Sequence, residues 1–340
     1  MSWRHLEKYD TVDHKKVNLE KVDDSHKEKV QKLADFEATN QYDNFRPNEN
    51  ISRGAFATMF YRIYSLYQAD LMHTSDTHAH LEDVAKRVTA VKDFRAKYPS
   101  ALLFDSGDVF SGTLYFNEYH GQADMEFMNL MKYDAMTFGN HEFDLGETDG
   151  NHQKLADFIS NARFPVLSAN VDVSKQPELN GLYKGGITSS PTNGNIYNGM
   201  IKNVNGEKIG VFGLTTAETA NIASPLNVTF DDYIEKARAT VASLEARGAD
   251  KIIALTHIGY NDNPDINDIK LAKEVDGIDI ILGGHSHTKL DQPFLVYEAG
   301  KAPTLIDHTY QYGEYLGTLN VKFNDKGEIV GNTGSLVKNC

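Results

Sequence analysis

Tyr133-Asp134-Ala135-Met136-Thr137-Phe138-Gly139-Asn140-His141-Glu142-Phe143-Asp144 is the stretch whose reading decides the fold. Its first half is a short apolar run of strand type, Ala135 to Phe138, closed by Gly139. Polar residues able to hold a metal or carry a proton follow at once. Open α/β sheets place their ligands at this carboxyl end of a strand. A helix-like segment over 123–131 precedes the run, and the same arrangement recurs upstream. Leu71-Met72-His73-Thr74 leads into Asp76-Thr77-His78, a helix is predicted over 81–98 before Pro99, and Ala101-Leu102-Leu103-Phe104 leads into Asp105-Ser106-Gly107-Asp108. Such β-then-α alternation implies a largely parallel sheet covered by helices.

Downstream, strand-like 251–255 leads to His257, and 278–282 leads to Gly283-Gly284-His285-Ser286-His287. Segments 196–204 and 208–214 flank Asn205-Gly206, a strong hairpin signal. A helix over 234–247 is closed by Gly248, and a last hairpin joins 315–323 to 328–330 across Asp325-Lys326-Gly327. The expectation is an α/β domain of two sheets with helices outside. No long repeat is visible after residue 70.

The chain has 340 residues, enough for one large domain and a small module, and a formal charge of −14. That charge argues against nucleic acid as the main partner, which needs a basic face. It does not bar an anionic substrate, because bound cations reverse the sign locally. The one cysteine is Cys340, so internal disulfides and cysteine metal sites are excluded. No apolar run has the length of a transmembrane segment. Residues 1–29 are crowded with charge and have no apolar core, so they do not read as a signal peptide; taken literally, the chain is cytoplasmic. Residues 1–22 are expected to be a disordered polar leader.

Residues 23–66 form a different object. Val30, Leu33, Ala34 and Phe36 suggest a short amphipathic helix, and Pro47 interrupts the connector. Ser52 is placed to cap a second helix bearing Phe56, Met59, Phe60 and Ile63 on one face. This pair resembles one S-layer homology repeat, with Ile51-Ser52-Arg53 at the family's Ile-Thr-Arg signature. It departs from the pattern at Lys27 and Glu28, where an aromatic is usual, and around Gln41 and Asn44, where a turn glycine is usual. The resemblance implies an exported or cell-surface bacterial parent protein. A single repeat implies weak contact, at most, with cell-wall polysaccharide.

The candidate ligands are oxygen or imidazole nitrogen throughout, a set suited to divalent zinc, manganese, iron or cobalt. Hydrolysis of a phosphate ester is held back by water's poor nucleophilicity and by charge gathering on the phosphoryl oxygens. Two divalent ions about 3.5–4 Å apart relieve both, given a bridging carboxylate and open positions.

Asp76-Thr77-His78, Gly107-Asp108-Val109-Phe110-Ser111-Gly112, the stretch 133–144 and Gly283 to His287 together resemble the calcineurin-type metallophosphoesterases, and more narrowly the 5′-nucleotidase family, over residues 69–335. The resemblance implies a four-layer αββα sandwich of two mixed sheets, two divalent metal ions and a small phosphorylated substrate, a nucleotide. Carried over, Asp76, His78 and His287 bind the first ion, Asn140, His257 and His285 the second, and Asp108 bridges. Some relatives have Gln at the last ligand position, so His287 follows the broader pattern. His141 lies opposite an attacking metal-bound hydroxide as a catalytic residue, with Asp144 holding its imidazole. A 2′,3′-cyclic-nucleotide phosphodiesterase or a nucleotide-sugar pyrophosphatase would use the same site. A wall-binding protein with an inactive scaffold is the alternative of another class. The family's C-terminal substrate domain has no counterpart in this sequence. His73 and His80 are expected to point away from the ligands, Asp105 to be structural, and His120, His152 and His308 to lie on the surface or in loops.

Overall fold

The computed structural model describes residues 8–12, 14–39 and 52–338. Two compact units are present, one of residues 1–69 and 319–333, the other of 70–318 and 334–340.

The larger unit carries the predicted layers. Strands Tyr67–Thr74, Leu102–Asp105, Ala135–Met136, Val166–Leu167 and Ile196–Tyr197 pair in parallel, in that order. In a second sheet, Glu207–Thr215, Lys251–His257, Ile280–Gly283 and Thr304–His308 are parallel, and Gly199–Val204 and Phe294–Val296 add antiparallel at either side. The sheets are mixed, as expected. Helices Val84–Lys97, Gln122–Met131 and Gln153–Asn161 bury Val91, Met128 and Phe158 in one apolar cluster with Met72, Leu103 and Met136 of the first sheet. Helices Tyr233–Glu245 and Asp268–Glu274 bury Val241, Leu244 and Leu271 against Phe212, Ile252, Ala254 and Ile281 of the second. Four layers result, helix, sheet, sheet, helix.

Strand period decides which residues face the neighbouring sheet. Ile252 and Ala254 turn toward the helices, so Ile253, Leu255 and His257 turn the other way. There His257 Nδ1 meets the Ser106 carbonyl of the first sheet's loop at 2.7 Å. By the same alternation Met72 faces helices, while His73 points between the sheets and meets Asp307 at 3.1 Å. The expected hairpin is present. Asn205 and Gly206 have φ of 55° and 94°, as a two-residue turn of the primed type requires.

In the smaller unit, helix Asp24–Asp35 and helix Arg53–Ser65 are both formed. Ser52 caps the second, its Oγ accepting the Ala55 N–H at 3.0 Å. The connector motif with Pro47 and Ile51 lies outside the described residues. One expectation is corrected. The leader is structured at Tyr9 to Thr11: Asp10–Thr11 pairs with Gly331 and Asn332, and Tyr9 is buried with Phe36 and Val330. Asp35 collects Thr11 Oγ1, His14 Nδ1 and the Lys15 N–H at 3.2, 2.8 and 2.9 Å. The apolar face of the second helix is only partly covered. Ile63 packs on that cluster, whereas Phe56 and Phe60 stack on each other at 5.8 Å and remain 50% and 37% exposed.

Candidate metal centre

Six of the proposed ligands lie in loops that follow parallel strands, and His257 ends its strand. The donor atoms of Asp76, His78, Asp108, His257, His285 and His287 are brought together, and Asn140 stands in the loop beside His141. Asp76, Asp108 and His257 are buried. Three groups of donor atoms converge: Asp76, His78 and His287; Asp108, His257 and His285; and His78, Asp108 and His141. His78 Nε2 faces His287 Nε2 at 3.1 Å, and His287 Nε2 lies 3.5 Å from Asp76 Oδ1. Asp108 Oδ2 is 2.9 Å from His257 Nε2 and 3.9 Å from His78 Nε2, so it stands between the groups.

The local backbone is bent to achieve this. Asp76, His78, Asp108, His285 and His287 all have positive φ, from 46° to 81°. Asp and His tolerate that region better than most residues, and such conformations gather at functional sites. Gly107, at φ 92°, is required, since a Cβ there would overlap the backbone of Gly139. Backbone N–H groups complete the frame: His285 donates to Asp76 Oδ1 at 3.0 Å and His141 to Asp108 Oδ1 at 2.8 Å.

The residues fit a pair of divalent cations. Asn140 is buried, and its Oδ1 has no hydrogen-bond partner among the described residues. A buried acceptor left so is costly, and a cation satisfies it. Burial holds His78 below its usual range; burial, with the nearby His257, pushes His285 down to about 4. Both are therefore neutral near pH 7 with a lone pair to give, the form a metal requires. Two His/Asp clusters sharing a carboxylate suit a dinuclear divalent-metal site.

His141 and Asp144 are also brought together, Nδ1 to Oδ2 at 2.6 Å, at the partly exposed mouth. Burial alone would lower His141, but the hydrogen bond to Asp144 and the charge of Asp108 raise it to about 9. The Ser111 hydroxyl donates to the same Asp144 oxygen.

Sequence reasoning gave no role to Glu142, which proves to be the clamp of the ligand loops. Its buried carboxylate accepts the N–H groups of Asp108, Val109, Phe110 and Gly139 at 3.0, 2.8, 3.2 and 2.5 Å. The available signal was a carboxylate set between Phe138 and Phe143, since a buried charge must find donors. Tyr312 was likewise missed; its N–H donates to the Asp76 carbonyl at 2.7 Å.

Other histidines divide. His73 stays outside the cluster as expected, and His80 rests on Tyr312 with ring centroids 4.2 Å apart. Asp105 is structural, accepting from Thr74 Oγ1 at 2.6 Å and the Gly107 N–H at 2.9 Å. His308, expected on the surface or in a loop, is instead buried at the end of strand Thr304–His308, and His152 lies between elements as expected but is buried. His308 Nε2 pairs with buried Asp268 at 2.7 Å, a partner 40 residues away in sequence.

Comparison with known proteins agrees with this geometry. The family described as calcineurin-like phosphoesterase matches residues 69–289. The trifunctional nucleotide phosphoesterase protein YfkN of Bacillus subtilis is 43% identical over 284 residues, 78% of this chain and 19% of that protein. Snake venom 5′-nucleotidase of Naja atra is 34% identical over 299 residues, 79% of this chain and 53% of that one. The crystal structure of a 5′-nucleotidase precursor from Thermus thermophilus superposes with a TM-score of 0.71 at 37% identity, covering 80% of this chain and 54% of that chain. The chain thus spans about half or less of the length of these relatives.

Proposed function

This chain belongs to the calcineurin-like phosphoesterase family, and from that premise we propose that it hydrolyses phosphate monoesters in the manner of a 5′-nucleotidase, releasing phosphate from nucleoside monophosphates. The observation that carries the reading is Asp108, whose Oδ2 lies between the two histidine groups. Asp76, His78 and His287 would hold one ion, Asn140, His257 and His285 the other, and Asp108 both. Two such ions, when bound, make a water nucleophile available at neutral pH and offset phosphoryl charge. The chain's own residues do the rest. Asp144 keeps the His141 imidazole oriented and protonated, with the Ser111 hydroxyl on the same carboxylate. His141 then holds the charge of the phosphoryl group or hands its proton to the departing oxygen. Full-length protein supplied with manganese or zinc is expected to release phosphate from nucleoside monophosphates and from p-nitrophenyl phosphate, and chelation to stop it. Folded protein that turns over neither ester with any of these metals refutes the proposal.

The names of two relatives, a trifunctional nucleotide phosphoesterase and, at 27% identity, an NAD nucleotidase of Haemophilus influenzae, support a second reading. In it the same site also cleaves 2′,3′-cyclic nucleotides or the pyrophosphate of dinucleotides and nucleotide sugars. A panel of these substrates separates the readings.

For the N-terminal helices we propose a degenerate S-layer-type repeat of an exported protein, supported by the Ser52 cap and by the half-exposed Phe56 and Phe60. Sedimentation with purified cell walls should show weak binding at most. No helix among the described residues is long and apolar enough to cross a membrane.

A further inference from the structure

Tyr310, Tyr312 and Gly313 all have positive φ, at 70°, 59° and 63°. Two bulky side chains in the left-handed region within one turn are a strained arrangement. The surroundings over-determine it. The Tyr310 N–H donates to the Thr288 carbonyl at 3.0 Å, just after His287, and the Tyr312 N–H donates to the Asp76 carbonyl at 2.7 Å. Gly313 packs so closely on the Arg87 guanidinium that a Cβ would overlap it. The turn is thereby tied to two ligand loops at once, and it delivers one side chain to the mouth of the centre.

That side chain is the Tyr312 ring. Its centroid lies 5.8 Å from that of His78 and 6.1 Å from that of His287, and the His80 ring backs it at 4.2 Å with a 36° tilt. It is 40% exposed, whereas Asp76, Asp108 and His257 are buried. The same His78 ring is 5.0 Å from that of His141. A half-open aromatic wall therefore stands at the rim where the organic part of a phosphoester bound at the centre would emerge. Strain maintained by three independent anchors has its physical use in fixing that wall's position.

We propose that Tyr312 is a specificity-determining residue, its ring being the surface against which a planar, unsaturated ring carried by the leaving alcohol is held in preference to a wholly saturated group. This rests on the phosphoesterase reading above. Stacking on an aromatic wall discriminates by about tenfold. Two substitutions respect the backbone: Tyr312→Phe keeps the ring, and Tyr312→Asn removes it while retaining a residue that tolerates positive φ. With manganese-loaded full-length protein, kcat/KM is measured for p-nitrophenyl phosphate and for glycerol phosphate. The aryl-to-alkyl ratio should persist in Tyr312→Phe and fall about tenfold in Tyr312→Asn, mainly through KM. Calorimetric binding of phenylphosphonate against methylphosphonate gives the same comparison without turnover, with preference for the phenyl compound expected in wild type and Tyr312→Phe and lost in Tyr312→Asn. An inactive wild type that still prefers phenylphosphonate would sink the hydrolytic reading and leave this one standing. Equal loss for both esters in Tyr312→Asn, an unchanged ratio, or loss of bound manganese in that variant alone would overturn the specificity role.

Discussion

At the scale of single residues, the proposed metal roles differ in ways that elemental analysis can separate. Asp108 is the carboxylate between the groups, with Oδ2 at 2.9 Å from His257 and 3.9 Å from His78. Asp108→Ala should therefore lower affinity for both ions. His78→Ala should chiefly weaken the site shared with Asp76 and His287, and His285→Ala the site shared with Asn140 and His257. His141→Ala should keep both ions and lose rate by roughly 10²–10⁴-fold, the usual worth of a positioned proton donor. Two tightly held ions in Asp108→Ala would remove the bridge and the assignment built on it. The proposed ligands could be read from the chain because each follows a strand at the end where α/β sheets gather them. Glu142 could not be assigned a role, because its partners are backbone N–H groups that converge only when the loops at Asp108 and Gly139 meet. Tyr312 was hidden for a similar reason, since its place depends on an anchor to Asp76 far away in sequence.

At the scale of elements, local chemistry was legible wherever a turn or cap specifies itself. The Asn205-Gly206 hairpin is one such case, and its energetics are unusually simple. A Cβ added at Gly206 would meet nothing within 4 Å, so only its φ of 94° opposes a side chain. Gly206→Ala should cost about 1 kcal/mol, seen as a lower urea midpoint with an unchanged slope; a stabilised variant would mean the turn can relax to a different type. The Ser52 cap was legible on the same grounds. The spacing of Phe56, Met59, Phe60 and Ile63 records which residues share a face and not whether anything covers it. Only Ile63 of that face packs on the cluster around Tyr9 and Phe36. The leader was misjudged because its charge-rich composition concealed the burial of Tyr9, and because Asp35, which collects donors from Thr11, His14 and Lys15, lies outside it in the first helix.

At the scale of the molecule, β-then-α alternation was enough to anticipate parallel sheet covered by helices, and the family resemblance the four layers, but neither showed the polar groups buried inside them. Asp307 with His73 and Asp268 with His308 join residues 234 and 40 positions apart, so no window of sequence contains them. Asp124 belongs to this hidden class and makes stability depend on pH. It is 4% exposed, and its Oδ2 lacks a hydrogen-bond partner among the described residues. Burial pushes its carboxyl up to about 7, against the weaker pull of Arg87. An unfolded aspartate titrates near 3.8, so below that pH both states carry the proton and the group's contribution is fully present. Between about 4 and 7 the unfolded chain releases the proton while the folded chain keeps it, and that contribution is lost as pH rises. The slope approaches about 1.4 kcal/mol per pH unit for one such group. Asp124→Asn cannot ionise. Its amide introduces a fixed offset, because Nδ2 replaces an oxygen that had no partner, but no slope. Urea denaturation of metal-free protein at pH 5 and pH 7 should therefore show the variant gaining on wild type as pH rises. A wild-type-to-variant difference that stays constant across this window would show that the Asp124 carboxyl ionises at its ordinary pH inside the fold.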